Sequence, residues 1–418
     1  MIKRYLAGAA AARTGDEMSA PALLLAGLMI TGSSATASSL LAAITISAAI
    51  GGPLLGVLMD RSARPGRLLA QALAAYAAAL GAILVVLGRA HPVVTILIAL
   101  GAGLLGPALS AGWTSQLALI SSGPELRRAS DLDAMTFNVA ALSGPALAGG
   151  VAGVFGASAA VAASVALICV AIPAARMLPA RPGRRAQPLG ADLAAGFKAI
   201  ARIRPLARAT RVSVISCVGQ GMLVACTPLL GAQALGSPER GAYLLAVIAA
   251  SALAANVVMS RLTTRPDTVM WLSTLVMGGA FLLAAVRHPA AVIGAAVVAG
   301  VGEGPQLTAL FAVRHREAPE QLRGQIFTTG ASLKITGFAV GAAVAGLLVS
   351  RSLAGTLVVA AATQLVAAGT RGVPAAWNSG RVRRPGSGPR CAPRRGRRSG
   401  GRRPGRGGSP CRAWWRPG

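Results

Sequence analysis

Residues 51–67, GGPLLGVLMDRSARPGR, close an apolar, glycine-rich run on one aspartate, Asp60, followed by Arg61, Arg64 and Arg67. Basic residues alone would mark a membrane loop as cytoplasmic. Asp60 adds nothing to that signal, so its carboxylate is available for a specific contact. A second group, Arg13, Asp16 and Glu17, lies within an otherwise apolar stretch. Spacings of three and four place Arg13 beside both acids on one helical face, so one acid can neutralise the arginine and the other is left over. A third acid, Glu303, precedes Arg314 by eleven residues, or roughly 16 Å along a helix. Ionisable groups at such depths cost roughly 2.5–3.5 kcal/mol each at mid-helix. A carboxyl kept there despite the cost is a candidate proton carrier between states of different hydration.

The elements that must position these groups follow from composition. The chain has 418 residues, is 54% hydrophobic and 13% charged, and has a mean hydropathy of +0.61. That excludes an ordinary soluble domain. Apolar runs long enough to cross ~30 Å of hydrocarbon recur throughout. They lack the period-2 alternation of a membrane barrel, which leaves helices. Twelve spans are expected, near 5–30, 34–59, 68–88, 92–120, 132–155, 157–177, 210–233, 240–262, 268–286, 290–312, 326–349 and 353–370. The charges at Arg13, Asp16 and Glu17 argue against a cleaved signal peptide at the start. With both termini in the cytoplasm, the N-terminus and cytoplasmic loops up to the eleventh span hold 21 Lys and Arg, against four in the external loops. That bias orients an all-α protein in the cell inner membrane.

The spans repeat. Arg89-Ala90-His91-Pro92 returns as Arg287-His288-Pro289, Gly106-Pro107 as Gly304-Pro305, and Pro124-Glu125-Leu126-Arg127 as Pro319-Glu320-Gln321-Leu322-Arg323. Asn256-Val257-Val258-Met259-Ser260-Arg261 occupies the place of Gly56-Val57-Leu58-Met59-Asp60-Arg61. These offsets predict a six-helix half over 1–177, a basic linker over 178–209 and a second six-helix half over 210–370. Parallel repeats of this kind carry a central site at their interface in known transporters. The repeat aligns Glu303 with Leu105 and Asp60 with Ser260. The second half therefore gains an acid at cavity depth and lacks one at the loop.

Gly56-x-x-x-Asp60-Arg61 followed by Gly66-Arg67 resembles the signature between spans two and three of major facilitator superfamily transporters, with a loop about two residues longer than usual. Ser143-Gly144-Pro145-Ala146-Leu147-Ala148-Gly149-Gly150 is similar to the Gly-Pro-x-x-Gly-Gly element of proton-driven exporters, with one residue more and no glycine at Ala140. The first resemblance implies that Asp60 faces the N–H groups and positive dipole end of span eleven. Arg61 and Arg67 would link it to neighbouring helix ends as a one-sided gating latch. It also implies that spans one, four, seven and ten line the path, making Trp113, Gln116, Gln220 and Gln306 cavity candidates. A lone glutamine serves equally as interhelical glue. Gly144, Pro145, Gly149 and Gly150 would form the exporter-like element, and Glu303, Asp16, Glu17 and Arg13 the coupling group. Lys334 in span eleven can pair with an acid or snorkel.

Other chemistry is not expected. Cys169, Cys217, Cys226, Cys391 and Cys411 show no metal spacing, and His91, His288 and His315 are expected in loops. No P-loop lysine and no nucleophile–base set is present, so neither a nucleotide-driven pump nor an enzyme is expected, and no cofactor. Residues 371–418 hold fourteen arginines and no acid. Their composition is expected to leave them disordered. They match first a GC-rich gene read out of frame, next contact with anionic lipid, and last nucleic acid bound through its phosphates. The expected function is proton-coupled export of small amphipathic molecules by a monomer. The alternatives are an importer of a nutrient or metabolite with the same fold, and a non-transporting membrane scaffold or damaged gene product.

Overall fold

The computed structural model describes residues 1–181, 188–237, 240–262 and 264–370, apart from the side chains of residues 34, 35 and 38. The expected tail, 371–418, lies outside the described residues. The chain is helical: α1 (Ile2–Thr31), α2 (Ser34–Arg61), α3 (Pro65–Val86), α4 (Pro92–Pro107), α5 (Trp113–Gln116), α6 (Gly123–Phe155), α7 (Ala157–Arg176), α8 (Leu189–Arg202), α9 (Arg204–Leu235), α10 (Gly241–Met259), α11 (Pro266–Ala284), α12 (Pro289–Glu317), α13 (Arg323–Val349) and α14 (Leu353–Gly369). Helix ends follow local chemistry. Prolines occupy the first position of α3, α4, α11 and α12, where the missing N–H costs nothing. Gly32 closes α1 at φ 67°, a left-handed conformation that favours glycine.

Among the described residues, ten helical spans are long and apolar enough to cross a membrane. The other two expected spans differ for separate reasons. Helix α1 carries three ionisable residues near its middle, and α14 has only 17 residues. Several helices outrun their apolar cores: α6 starts at Gly123, α9 at Arg204, and α12 continues to Glu317. The fourth span is irregular. After Pro107 it loosens into a π-helical stretch, Ala108–Gly112, before α5. Proline removes a backbone donor, and a π-bulge is one way to absorb the change.

The basic linker contains a helix that was not expected, α8. Its buried positions Asp192, Gly196 and Ile200 recur every four residues and form one face. Ile200 packs with Leu206, Ala318 and Ile326.

Packing partners recur along the chain. Helix α1 packs on α6 and α7, as α9 packs on α13 and α14; α2 packs on α4, as α10 packs on α12. One hydrophobic cluster draws on residues from Tyr5 to Leu178, and a second on residues from Met222 to Ala361. Helices α1–α7 meet α9–α14 chiefly where α2 crosses α13 and where α6 crosses α10.

Candidate functional site: a clamped helix crossing and an acid-lined cavity

At the α2–α13 crossing, small residues let the backbones touch. A Cβ on Gly56 would strike the Gln325 Cα, and one on Gly52 would strike Thr328 and Ser332. This approach delivers Asp60, 3% exposed, to the first turn of α13. Its Oδ1 accepts from the Gly324 N–H and its Oδ2 from the Gln325 N–H, both at 2.8 Å. Those amides have no partner within their own helix, and a carboxylate there also meets the positive end of the helix dipole. Arg181 completes the contact, donating from Nη2 to Asp60 Oδ1 at 3.2 Å and to the Met59 carbonyl at 2.8 Å.

The arginines of the signature divide. Arg61 pairs with Asp192 of α8, at 2.8 Å from Nε and 2.6 Å from Nη2. Gln325 donates to the Asp192 and Leu193 carbonyls at 2.9 and 3.0 Å. Helix α8 is thus fastened to both α2 and α13. Gly66 packs on Ala175 and Leu178, holding α3 to the end of α7. Arg67 is exposed, and no side-chain hydrogen bond or ion pair of it is found among the described residues. Among the described residues the arginine found on Asp60 is Arg181. At the repeat position, Ser260 is exposed and, among the described residues, donates to the carbonyl of Val257, in its own helix.

Between α6 and α10 lies a cavity of about 680 Å³, within the usual size of small-molecule sites. Its wall is largely apolar, with Glu17, Asn138, Gln220 and Glu303 as polar members and Pro145 and Phe338 among the rest. Glu17 is exposed into it, and Glu303 is half-buried. The two carboxyls are near enough to feel each other's charge, and the Lys334 charge reaches Glu303.

The remaining expected residues fall elsewhere. Arg13 does not pair with Asp16 or Glu17. It reaches across to α6, where its Nη1 meets Asp133 Oδ1 at 2.9 Å and also bonds Thr136. Its Nη2 bonds Thr114 at 2.9 Å and the carbonyl of Ser110 in the π-helical stretch at 3.3 Å, and its guanidinium covers Phe137 at 3.7 Å. Tyr5 donates to the same Asp133 oxygen at 3.0 Å. With Asp133 satisfying the arginine, both span-one acids are left over rather than one. Asp16 instead accepts from Tyr76 at 3.0 Å, in the packing of α1 on α3, and is not part of the cavity wall.

Trp113, Gln116 and Gln306 are not in the wall of this cavity. Trp113 is fully buried edge-on against Tyr5, with ring centroids 5.5 Å apart. Gln116 is fully buried and donates to Ser115. Gln306 donates to Ser216 and Thr274 and is interhelical glue; Gln220 joins the same network and also reaches the cavity. In the exporter-like element, Gly144 lies on the α1 backbone at Glu17 and Met18, whereas Gly149 and Gly150 have open space where a Cβ would go. His315 is buried within α12 rather than in a loop. Cys169, Cys217 and Cys226 are free thiols. Among the described residues, no group of three His, Cys, Asp or Glu could hold a metal ion.

Sequence reasoning missed Asp133, Arg181, Asp192 and Gln325. Asp133 is an acid within an apolar span, a signal that was present. Asp192 is the only acid in the expected linker, 178–209. Arg181 and Gln325 carried no such mark.

Similarity to known proteins agrees with this architecture. A relative from Sinorhizobium fredii, the uncharacterised MFS-type transporter y4rN, is 28% identical over 328 residues, covering 76% of this chain and 78% of its own. The fold is similar to that of the human organic anion transporter MFSD10 (TM-score 0.72, 13% identity, 88% of this chain and 98% of that one). It is likewise similar to a bacterial homologue of the iron transporter ferroportin in an outward-facing state (TM-score 0.72, 16% identity, 88% and 98%). The sequence profile of the Major Facilitator Superfamily matches residues 5–327. This chain therefore belongs to the Major Facilitator Superfamily of membrane transporters.

Proposed function

We propose that the protein is an alternating-access secondary transporter of twelve spans in two halves, α1–α7 and α9–α14, that exports small amphipathic molecules from the cytoplasm in exchange for protons. The observation that carries this reading is the contrast between the two crossings. The acid-lined cavity between α6 and α10 is open, while the α2–α13 crossing is clamped through Asp60. With both termini in the cytoplasm, as the basic residues favour, this is the outward-facing arrangement. Asp60, Arg61 and Arg181 form the cytoplasmic gate, and α8 is its brace. A charged, hydrogen-bonded contact suits a gate because water can replace each bond on opening. Glu303 and Glu17 are the proton carriers, with Asp16 behind them on α1. An apolar wall with few polar groups fits an amphipathic solute.

The test is flux in inside-out vesicles under an imposed pH gradient. Solute should accumulate in an acidic lumen and release protons to the medium. Solute leaving the lumen with protons would make the protein an importer, and flux of neither would leave a scaffold. Glu303→Gln should cut gradient-driven accumulation by about tenfold or more while solute binding shifts by less than about 1.4 kcal/mol. If Glu303→Gln retains coupling and Asp16→Asn loses it, the proton carrier is in span one.

A further inference from the structure

On the Asp60 side of the cavity, a stack of side chains fills the space between the two sets of helices. Arg13 covers Phe137, Phe137 meets Phe311 at 5.4 Å, Phe311 meets Phe327 at 5.9 Å, and His315 meets Phe327 at 4.6 Å. Arg314 ends the stack, its guanidinium 5.8 Å from the Phe327 ring. Arg314 is 1% exposed and His315 6%. Among the described residues, Nε and Nη2 of Arg314 have no hydrogen-bond partner, nor has either ring nitrogen of His315. Nε of Arg323 and the hydroxyl of Thr329 are also unpartnered. Buried polar groups are nearly always paired, and a buried guanidinium with unmade bonds is costly.

The unmade bonds have a particular geometry. Nε and Nη2 form the edge of a guanidinium that grips a carboxylate or phosphate with two parallel N–H bonds. Gly330 keeps room for this guanidinium, because a Cβ there would collide with it. The acids whose charges reach the cluster are committed in part or whole. Asp133 is held by Arg13, and Asp60 by the α13 amides and Arg181; Glu320 lies at Arg323. Charge is therefore distributed unequally along the path. Cations dominate around Arg314, and carboxyls about 16 Å along α12 at Glu303 dominate the cavity.

We propose that Arg314 and His315 form an anion subsite on the Asp60 side of the path, which takes the carboxylate, sulfonate or phosphate head of an amphipathic substrate when the α2–α13 crossing opens. The inference rests on the transporter reading above and names its substrate class, an organic anion whose apolar body lies against the phenylalanines. Capture by the Arg314 guanidinium, with a His315 ring N–H beside it, at one end and release past carboxylates at the other gives an anion a direction, from the Asp60 side to the cavity side.

The test uses the full-length protein in nanodiscs and three probes that share one body: 4-phenylbutyrate, 4-phenylbutylamine and 4-phenylbutanol. Equilibrium binding should favour the anion over both others by about tenfold, and more strongly in Asp60→Asn, which loosens the crossing. Arg314→Gln should abolish that preference and leave the alcohol unaffected, and Arg314→Lys should keep part of it. Gly330→Ala, which crowds the guanidinium without removing charge, should also weaken anion binding and covers the case in which Arg314→Gln fails to fold. Absent anion binding, tighter binding of the amine or alcohol, or an equal loss of all three in Arg314→Gln would overturn the subsite. Flux without anion preference would overturn the subsite and leave transport standing. Arg314-dependent anion binding without flux in vesicles would support the subsite and count against transport.

Discussion

Where α2 meets α13, Gly52 and Gly56 lay backbone on backbone, and Asp60 caps two free amides. Where α6 meets α10, the repeat-equivalent Ser260 bonds within its own helix, and a cavity separates much of the two surfaces. The two crossings come from matching helices of one repeat, yet only one is a specific contact. The difference is a handful of side chains: an acid for a serine, glycine for asparagine at position 256, and a linker helix present on one side. In the proposed transport cycle, local polar chemistry at one crossing, rather than the shared fold, would set which side is closed.

The largest effect should come from filling the close approach. Gly56→Leu forces bulk against the Gln325 backbone, and overpacking of this kind costs about 3 kcal/mol. The clamped state should be lost, seen as a lower melting temperature and little flux. Ala246→Leu at the cavity wall should change stability by less than about 0.5 kcal/mol. Equal effects of the two would erase the distinction between the crossings.

Asp60→Asn comes next. It keeps shape but loses the charge and one amide contact, worth about 2 kcal/mol for a charge-assisted bond. The population should shift by about thirtyfold toward the open crossing, with insertion intact and transport slowed, and Asp60→Glu should be milder. Normal turnover of Asp60→Asn at normal membrane levels would remove Asp60 from the gate.

How much of this was legible beforehand depended on the range of the interaction. Helix order and approximate boundaries follow from apolar runs, which are local. That Asp60 deserved attention was also local, because a lone acid beside arginines has no role in orientation. The pairing of Arg13 was not legible. Its neighbours at positions 16 and 17 satisfied the helical spacing, whereas its partner, Asp133, lies 120 residues away on α6. The same limit hid Arg181 and Gln325, which only folding brings to Asp60. That Trp113 and Gln116 lie outside the cavity wall was not legible either, because the side of a span that faces the path depends on helix rotation. The π-helical stretch just before them changes that rotation. Helix α8 was passed over because its basic residues outweighed its period-four buried face.

Smaller effects sharpen the role of that helix. Asp192→Asn should weaken the brace by about 1 kcal/mol, since its partner Arg61 is partly exposed and partly screened. A double-mutant cycle with Arg61→Gln should show coupling of at least about 0.5 kcal/mol, and additivity would mean α8 merely rests on the crossing. Ser260→Ala should be the smallest, within about 0.5 kcal/mol and without effect on flux. A clear loss of transport there would reveal a second gate.

Reciprocal movement of the two crossings is the central claim, and paired spin-label distances measure it most directly. One pair, Ala63→Cys with Glu320→Cys, spans the Asp60 crossing; the other, Phe155→Cys with Tyr243→Cys, spans the cavity mouth. On lowering the pH or introducing Asp60→Asn, one distance should lengthen as the other shortens, with the wild-type protein starting short at the first pair and long at the second. Two distances that stay fixed, or that lengthen together, would contradict alternating access gated at Asp60.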